Sequence, residues 1–159
     1  MSLPRHQQGN TEDWQIRLVT QDDVHGLAAL CVQLGYPEKV GPIGERLSHI
    51  LKLEHHAIYV AASNQGSIWG WVHIFERPLI VQELSAELGG LVVEKSVRQR
   101  GVGRALMLAA EKWARSRDLA QLTVRSNTNR IEAHEFYQAL GYERQKTSYT
   151  FKKNFHAAG

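Results

Sequence analysis

The sequence has a single cysteine, Cys31, among 159 residues. One thiol cannot form an internal disulfide, so the fold must rest on a buried core. In LAALCVQL that residue reads as a small apolar group inside a helix rather than a catalytic thiol. No apolar run approaches the roughly 20 residues that span a bilayer. The opening MSLPRHQQGNTEDW lacks a signal peptide's apolar segment, so a cytoplasmic protein without membrane contact is expected. Charge of one sign is scarce as well: 19 Lys and Arg against 16 Asp and Glu leave +3, and no five like charges run together. That excess suits an anionic ligand and argues against an extended nucleic-acid face, which would also need aromatics interleaved with the basic residues. There is no Gly-x-Ser-x-Gly, and none of the eight histidines pairs with another at i, i+4. Serine-nucleophile and metal chemistry are therefore not expected.

Apolar residues make up 43% of the chain and charged residues 22%, the proportions of a globular protein with a real core. One domain is expected over 12–155, with loose ends at 1–11 and 156–159. WQIRLV reads as a strand, and Thr20 with Asp23 as the capping box of a helix through VHGLAALCVQL. After the loop GYPEKVGP, Ile43, Leu47, Ile50 and Leu51 predict a second helix within IGERLSHILKLEHH, on which His55 and His56 point apart. AIYVAAS and SIWGWVHIF flank the turn NQG as a hairpin, and AELGGLVV is a further strand. Val102, Ala105, Leu106, Ala109, Ala110 and Trp113 form the stripe of an amphipathic helix. QLTVRS is then a strand. Asn129 and Glu132 resemble a capping box before a helix bearing Ala133, Phe136, Tyr137 and Leu140 on one face, with Gly141 at its C-cap. SYTFKKNF alternates as a closing strand. This order predicts an α+β fold, mixed α/β layers around one sheet.

Two features point to chemistry. Gly89 and Gly90 sit inside a strand, where paired glycines mark a bulge or a close approach of backbone or ligand; a loosely packed strand end is the plainer reading. VRQRGVGRAL, between that strand and a helix, puts glycines and arginines where a helix start offers unpaired N–H groups to an anion. It matches neither a dinucleotide fingerprint nor a Gly-Lys-Ser/Thr phosphate loop.

RQRGVG resembles the Arg/Gln-x-x-Gly-x-Gly/Ala signature of the GNAT superfamily of acetyl-CoA-dependent N-acyltransferases. LGGLVVEKSVRQRGVGRALMLAAEKWA is similar to that family's central strand, pyrophosphate loop and helix. LTVRSNTNRIEAHEFYQALGYE resembles its following strand and helix, in the subgroup with Ser-Asn-x-x-Arg-x-x-Ala-His-x-Phe-Tyr. The two together cover about residues 86–143.

The resemblance implies a GNAT-like fold and transfer of an acetyl group from acetyl-CoA, as cosubstrate and without a metal, to a primary amine of a small molecule or peptide. It gives the pyrophosphate to the backbone of Arg98, Gln99, Arg100, Gly101, Val102, Gly103 and Arg104, and the pantetheine arm to the strand backbone at Leu91, Val92 and Val93. The N–H of Val93 would polarise the thioester carbonyl. Asn127 and Asn129 are candidates to contact the coenzyme arm, Asn129 being also a helix N-cap. Tyr137 takes the place of the acid that protonates the departing thiolate; on its stripe alone it would be a core aromatic. His73 and His134 are weighed beside the carboxylates as candidate bases; His134 belongs to the motif and reads as structural, bonded to a neighbouring loop.

Many members carry Glu or Asp in the central strand where this chain has Gly89 and Gly90. That departure leaves Glu87 as the nearest candidate base, acting through water, or as a solvated carboxylate. Glu76 and Glu83 flank the hairpin and would attract a cationic acceptor. The acceptor would enter between QLGYPEKVGP and SIWGWVHIFERP, where Trp69 and Trp71 are expected on one strand face. A homodimer is compatible with this reading. The alternatives are a GNAT-like acyl-CoA-binding regulatory module without turnover, and a nucleic-acid-binding domain with steep salt dependence.

Overall fold

The computed structural model describes residues 13–36 and 39–156. They fall into two compact units that meet in sequence at Val124 and Arg125. The expected loose ends 1–11, and Pro37 of the predicted loop, lie outside the described residues.

The first unit carries the sheet. Its elements in chain order are β1 (Trp14–Leu18), α1 (Val24–Gln33), α2 (Val40–Ile50), β2 (His56–Ser63), β3 (Ile68–Leu79), β4 (Gln82–Val93), α3 (Val102–Ser116) and β5 (Leu122–Thr123). The strands lie side by side in that order; β1 to β4 are antiparallel and β5 runs parallel to β4. This mixed sheet flanked by helices is the predicted α+β architecture.

The Thr20–Asp23 capping box forms on the 3-10 turn Gln21–Asp23, which leads directly into α1. The Thr20 N–H donates to Asp23 Oδ2 at 2.8 Å, and the same carboxylate receives Arg17 Nη1 at 2.8 Å. The Arg17 hydrogen bond, against the opposing effect of burial, holds the Asp23 carboxyl below its usual range. α2 starts and stops earlier than its stripe suggests. Pro42 is accommodated in the first turn, where its missing N–H has no intrahelical partner to lose. The helix ends at Ile50, so His55 and His56 are not helical: His56 opens β2. On α3 the buried set is Val102, Leu106, Met107, Ala110 and Ala114, with Trp113 half-buried under the Arg117 guanidinium.

Residues directly opposite in an antiparallel pair share a face. Ile58, Val60 and Trp71 therefore share one face, and they pack with Leu27 of α1 and Leu47 of α2. Gly70, Val72 and Ile74 share the other; a Cβ on Gly70 would come within 3.0 Å of Leu106 of α3. Leu106 and Met107 are wholly buried, each contributing roughly 1.5–3 kcal/mol of burial free energy.

The second unit is built on α4 (Ile131–Ala139). Its N-cap is Arg130, not Asn129, and no side chain caps it, so the predicted Asn129–Glu132 box does not form. Its end is as expected: Gly141 at φ +95° lets its own N–H reach Gln138 O and the Tyr142 N–H reach Tyr137 O. The predicted closing strand is absent. Residues 143–156 form neither helix nor strand, and Tyr149, Phe151 and Phe155 are each more than 85% exposed. An alternating pattern becomes a strand only when a neighbour takes its backbone bonds, and α4 offers none.

Candidate active site

β4 and β5 pair at Ala86↔Leu122 and Glu87↔Thr123, and among the described residues no strand pairs with β4 on that side from there to Val93. The partner strand β3 follows it, but with a break: His73 faces Gly90 and Ile74 faces Leu88, so Gly89 is the extra residue of a bulge. The bulge decides which backbone groups face the gap. The Ala86 N–H bonds Gln121 O on the β5 side, whereas the Glu94 N–H bonds Trp69 O on the β3 side. Because direction alternates along a strand, Leu91 and Val93 turn their N–H groups into the gap, and Val92 turns toward β3. Of the three predicted strand contacts, Leu91 and Val93 have backbone to offer and Val92 does not.

The glycines are needed for a further reason. A Cβ on Gly89 would come within 2.6 Å of His73 Nδ1, and one on Gly90 within 2.8 Å of the Trp71 ring. Side chains of β3 lean over both positions, so a larger residue at either has nowhere to go.

Beyond Val93, Glu94 to Val97 make a single 3-10 turn and the loop Arg98–Gly101 leads into α3. Two exceptions to ordinary backbone sit there, separated by Arg100: Gln99 at φ +68° and Gly101 at φ +81°. Left-handed residues interspersed with right-handed ones turn successive N–H groups inward, forming a nest for an anion. No side chain caps α3, its first turn holds no acidic residue, and a Cβ on Gly101 would meet open space. An uncapped helix start, an open concavity and the exposed Arg98, Arg100 and Arg104 fit a pyrophosphate. The Arg100 guanidinium lies 5.4 Å from the Trp69 ring centroid, which stations it at this end of the sheet.

The sheet face toward α2 carries a different arrangement. Opposite pairing puts His56, Phe75 and Glu87 in one row across β2, β3 and β4, with His73 in the next. His56 Nδ1 and His73 Nε2 are 2.9 Å apart, and both rings pack on Phe75. Burial, with His56 adding to it, pushes the His73 imidazole down to about 4. Burial also lowers His56, helped by nearby His55 and His49. The two rings line an open cavity of about 480 Å³ whose far wall is Glu45, Arg46, His49 and Ile50 of α2. Glu87 is 7% exposed, and its carboxylate lies 2.9 Å from Arg77 Nη1.

Glu76, expected to attract the acceptor, is instead engaged by Arg117 and His55. Trp69 and Trp71 do not share a wall. β3 shifts register opposite Ala61 and Ala62, and Trp69 turns to Trp14 and Arg100 while Trp71 joins the α1–α2 core.

In the second unit, Tyr137 is half-buried on α4, its ring 5.2 Å from Phe136 and 5.9 Å from Tyr142 between centroids. Burial raises its phenol above the usual 10 against the lowering effect of Arg130. Asn127 starts the helix through its carbonyl, which accepts the Arg130 N–H and lies 2.8 Å from His134 Nε2. His134 is thus the structural loop contact expected of it.

Sequence reasoning missed the histidine pair. His56 was read as helical, and only register brings it beside His73, 17 positions away.

The sequence matches the acetyltransferase (GNAT) family over residues 23–142. It is 28% identical over 132 residues to aminoglycoside N(6')-acetyltransferase type 1 of Stenotrophomonas maltophilia, covering 80% of this chain and 85% of that protein. The fold is similar to the aminoglycoside antibiotic 6'-N-acetyltransferase of Acinetobacter baumannii, with a TM-score of 0.79 at 18% identity over 91% of this chain and 100% of that one. It is also similar to an aminoglycoside N-acetyltransferase solved with coenzyme A, with a TM-score of 0.80 at 20% identity over 97% and 100%. With the match spanning α1 to α4 and the glycine-arginine loop at its centre, the chain belongs to the acetyltransferase (GNAT) family.

Proposed function

We propose that this acetyl-CoA-dependent N-acetyltransferase acts on a primary amine of a small molecule held in the cavity between α2 and the β2–β3 hairpin. The observation that carries the reading is the uncapped start of α3 beside the unpaired edge of β4. Bound there, acetyl-CoA supplies an acetyl group activated as a thioester.

The chain's own groups have separable tasks. The backbone of Arg98 to Arg104 holds the pyrophosphate, the arginine side chains adding attraction from solvent. Leu91 and Val93 hydrogen-bond the coenzyme arm along β4. The Val93 N–H also meets negative charge developing on the thioester oxygen, a fixed dipole that needs no reorganisation during the reaction. Asn127 and Asn129 are proposed as further contacts to the arm. Tyr137 protonates the departing thiolate; burial raises its phenol, which keeps that proton in place at neutral pH.

The incoming amine must shed a proton before it can attack. Two groups on the cavity side of the sheet are chemically able to take it: the Glu87 carboxylate, engaged by Arg77, and the His56–His73 pair. Coenzyme A thioesters are held in the cytoplasm, where this reading places the reaction. The curated relative and the structural neighbours named above carry aminoglycoside acetyltransferase names, so aminoglycosides head the acceptor panel.

The test is release of free thiol from acetyl-CoA across aminoglycosides, polyamines, amino acids and a peptide N-terminus. Turnover with a small amine supports the reading. Turnover confined to the peptide overturns the small-molecule assignment. Binding of acetyl-CoA without turnover on any amine favours the regulatory module.

A further inference from the structure

We propose that the His56–His73 pair takes the proton from the acceptor's ammonium group, His56 receiving it and His73 positioning His56. This rests on the reading that the acceptor occupies the cavity against α2. His56 and His73 both line that cavity, and their ring nitrogens are joined at 2.9 Å. The other nitrogen of His73 is turned to β4, where a methyl at residue 89 would lie 2.6 Å from it. His73 thus fills the space that a side chain on the central strand would otherwise take, and the missing Cβ of Gly89 is what lets it stand there.

The 2.9 Å contact allows two tautomers, and the proposal uses one of them. His73 stays neutral across the working pH range because it is buried. In the proposed tautomer its Nε2 accepts the Nδ1–H of His56, which leaves the lone pair of His56 on Nε2 for the substrate. In the step itself, one N–H bond of the acceptor ammonium breaks and its electron pair stays on the amine nitrogen. The proton goes to His56 Nε2, giving an imidazolium whose Nδ1–H remains donated to His73. His56 is half-exposed and returns the proton to solvent after the product leaves.

The charged groups around the pair bear on how long it stays free of a proton. His49 of α2 and His55 of the turn before β2 both disfavour a proton on His56. Arg46 of α2 adds positive charge to the cavity wall, and Glu45 offers the compensating carboxylate. Glu87 shares the sheet face, with its charge set against Arg77. A base kept unprotonated at neutral pH can take the proton from the ammonium only transiently, an uphill transfer that attack of the freed amine on the thioester draws forward, and it does not hold the proton afterwards.

The experiment measures kcat/KM for an accepted amine between pH 6 and 10, at saturating acetyl-CoA, in the parent, His56→Gln, His73→Gln, Glu87→Gln and Glu45→Gln. The proposal expects His56→Gln to lose on the order of 10²-fold at pH 7 and to recover toward the parent at pH 9–10, where the amine arrives already neutral. His73→Gln should move the acidic limb of the profile, since it changes what the His56 Nδ1–H is donated to. Both should keep the parent's thermal shift with acetyl-CoA, which shows that the fold and the coenzyme seat survive. If the histidine variants follow the parent at every pH while Glu87→Gln takes the pH-dependent loss, the proton goes to Glu87 and the proposal falls. If the histidine variants are parent-like and Glu45→Gln also leaves the acceptor KM unchanged, the cavity reading falls with it. A changed acceptor KM in Glu45→Gln beside parent-like histidine variants sinks the relay alone.

Discussion

Arg77 and Glu87 form an ion pair of 2.9 Å across β3 and β4, with the carboxylate almost closed off from solvent and the guanidinium a third exposed. A carboxylate in that position needs its cation, because removing one partner leaves a desolvated charge unpaired. The arginine's exposure screens part of the effect. Arg77→Met is expected to destabilise the protein by on the order of 1–3 kcal/mol. Adding Glu87→Gln to Arg77→Met should restore part of the loss. Chemical denaturation of the two single variants and the double variant checks this; additive losses would contradict a direct pair.

The bulge at Gly89 makes a second, steric prediction. A methyl there meets the His73 ring at 2.6 Å, and that ring is trapped between β4 and the Phe75 and His56 rings. Gly89→Ala should cost about 1–3 kcal/mol, the usual penalty of overpacking. The same substitution in a His73→Ala background should cost much less. Melting temperatures of the four proteins in that cycle report the difference.

How far the sequence revealed this site depends on whether a signal is local. The glycine-arginine loop was legible because strand, loop and helix are contiguous, and the structure puts an uncapped helix start and positive-φ residues within it. Thr20 with Asp23 was legible for the same reason. Trp69 and Trp71 were misread because alternation holds only along an unbroken strand, and a register shift opposite Ala61 and Ala62 separates them. The His56–His73 pair was invisible, since no rule of spacing within one element joins two strands. The segment SYTFKKNF shows the converse: a strand pattern is a capacity that stays unused without a neighbouring strand.

Stability should fall with acid through a histidine. His73 in the folded protein sits at about 4, below the 6.5 of an exposed imidazole, because it is buried. The unfolded chain therefore binds the proton first. Its contribution is complete above pH 6.5 and is lost progressively as pH falls toward 4, by on the order of 3 kcal/mol. Unfolding free energy measured from pH 7.5 to 4.5 should drop less steeply in His73→Gln than in the parent. Equal slopes would mean that His73 is not held neutral.

Tyr137→Phe keeps the ring contacts with Phe136 and Tyr142 and deletes only the hydroxyl. Thermal stability is expected to change little, and kcat to fall by about 10²- to 10⁴-fold with acetyl-CoA affinity nearly unchanged. Burial raises the phenol above 10, so the parent should show no loss of its acid below that pH. Thiol release by the variant at the parent's rate would remove Tyr137 from the chemistry.

The start of α3 is the proposed seat of the coenzyme's phosphates. Calorimetric titration of coenzyme A into the parent and into Gly103→Glu, with circular dichroism to verify the fold, tests it most directly. A glutamate in the first turn puts a bulky anion where the pyrophosphate is proposed to sit. Saturable binding by the parent and none by a folded Gly103→Glu protein is the predicted result. Equal affinity in both proteins would place the phosphates elsewhere and contradict the assignment.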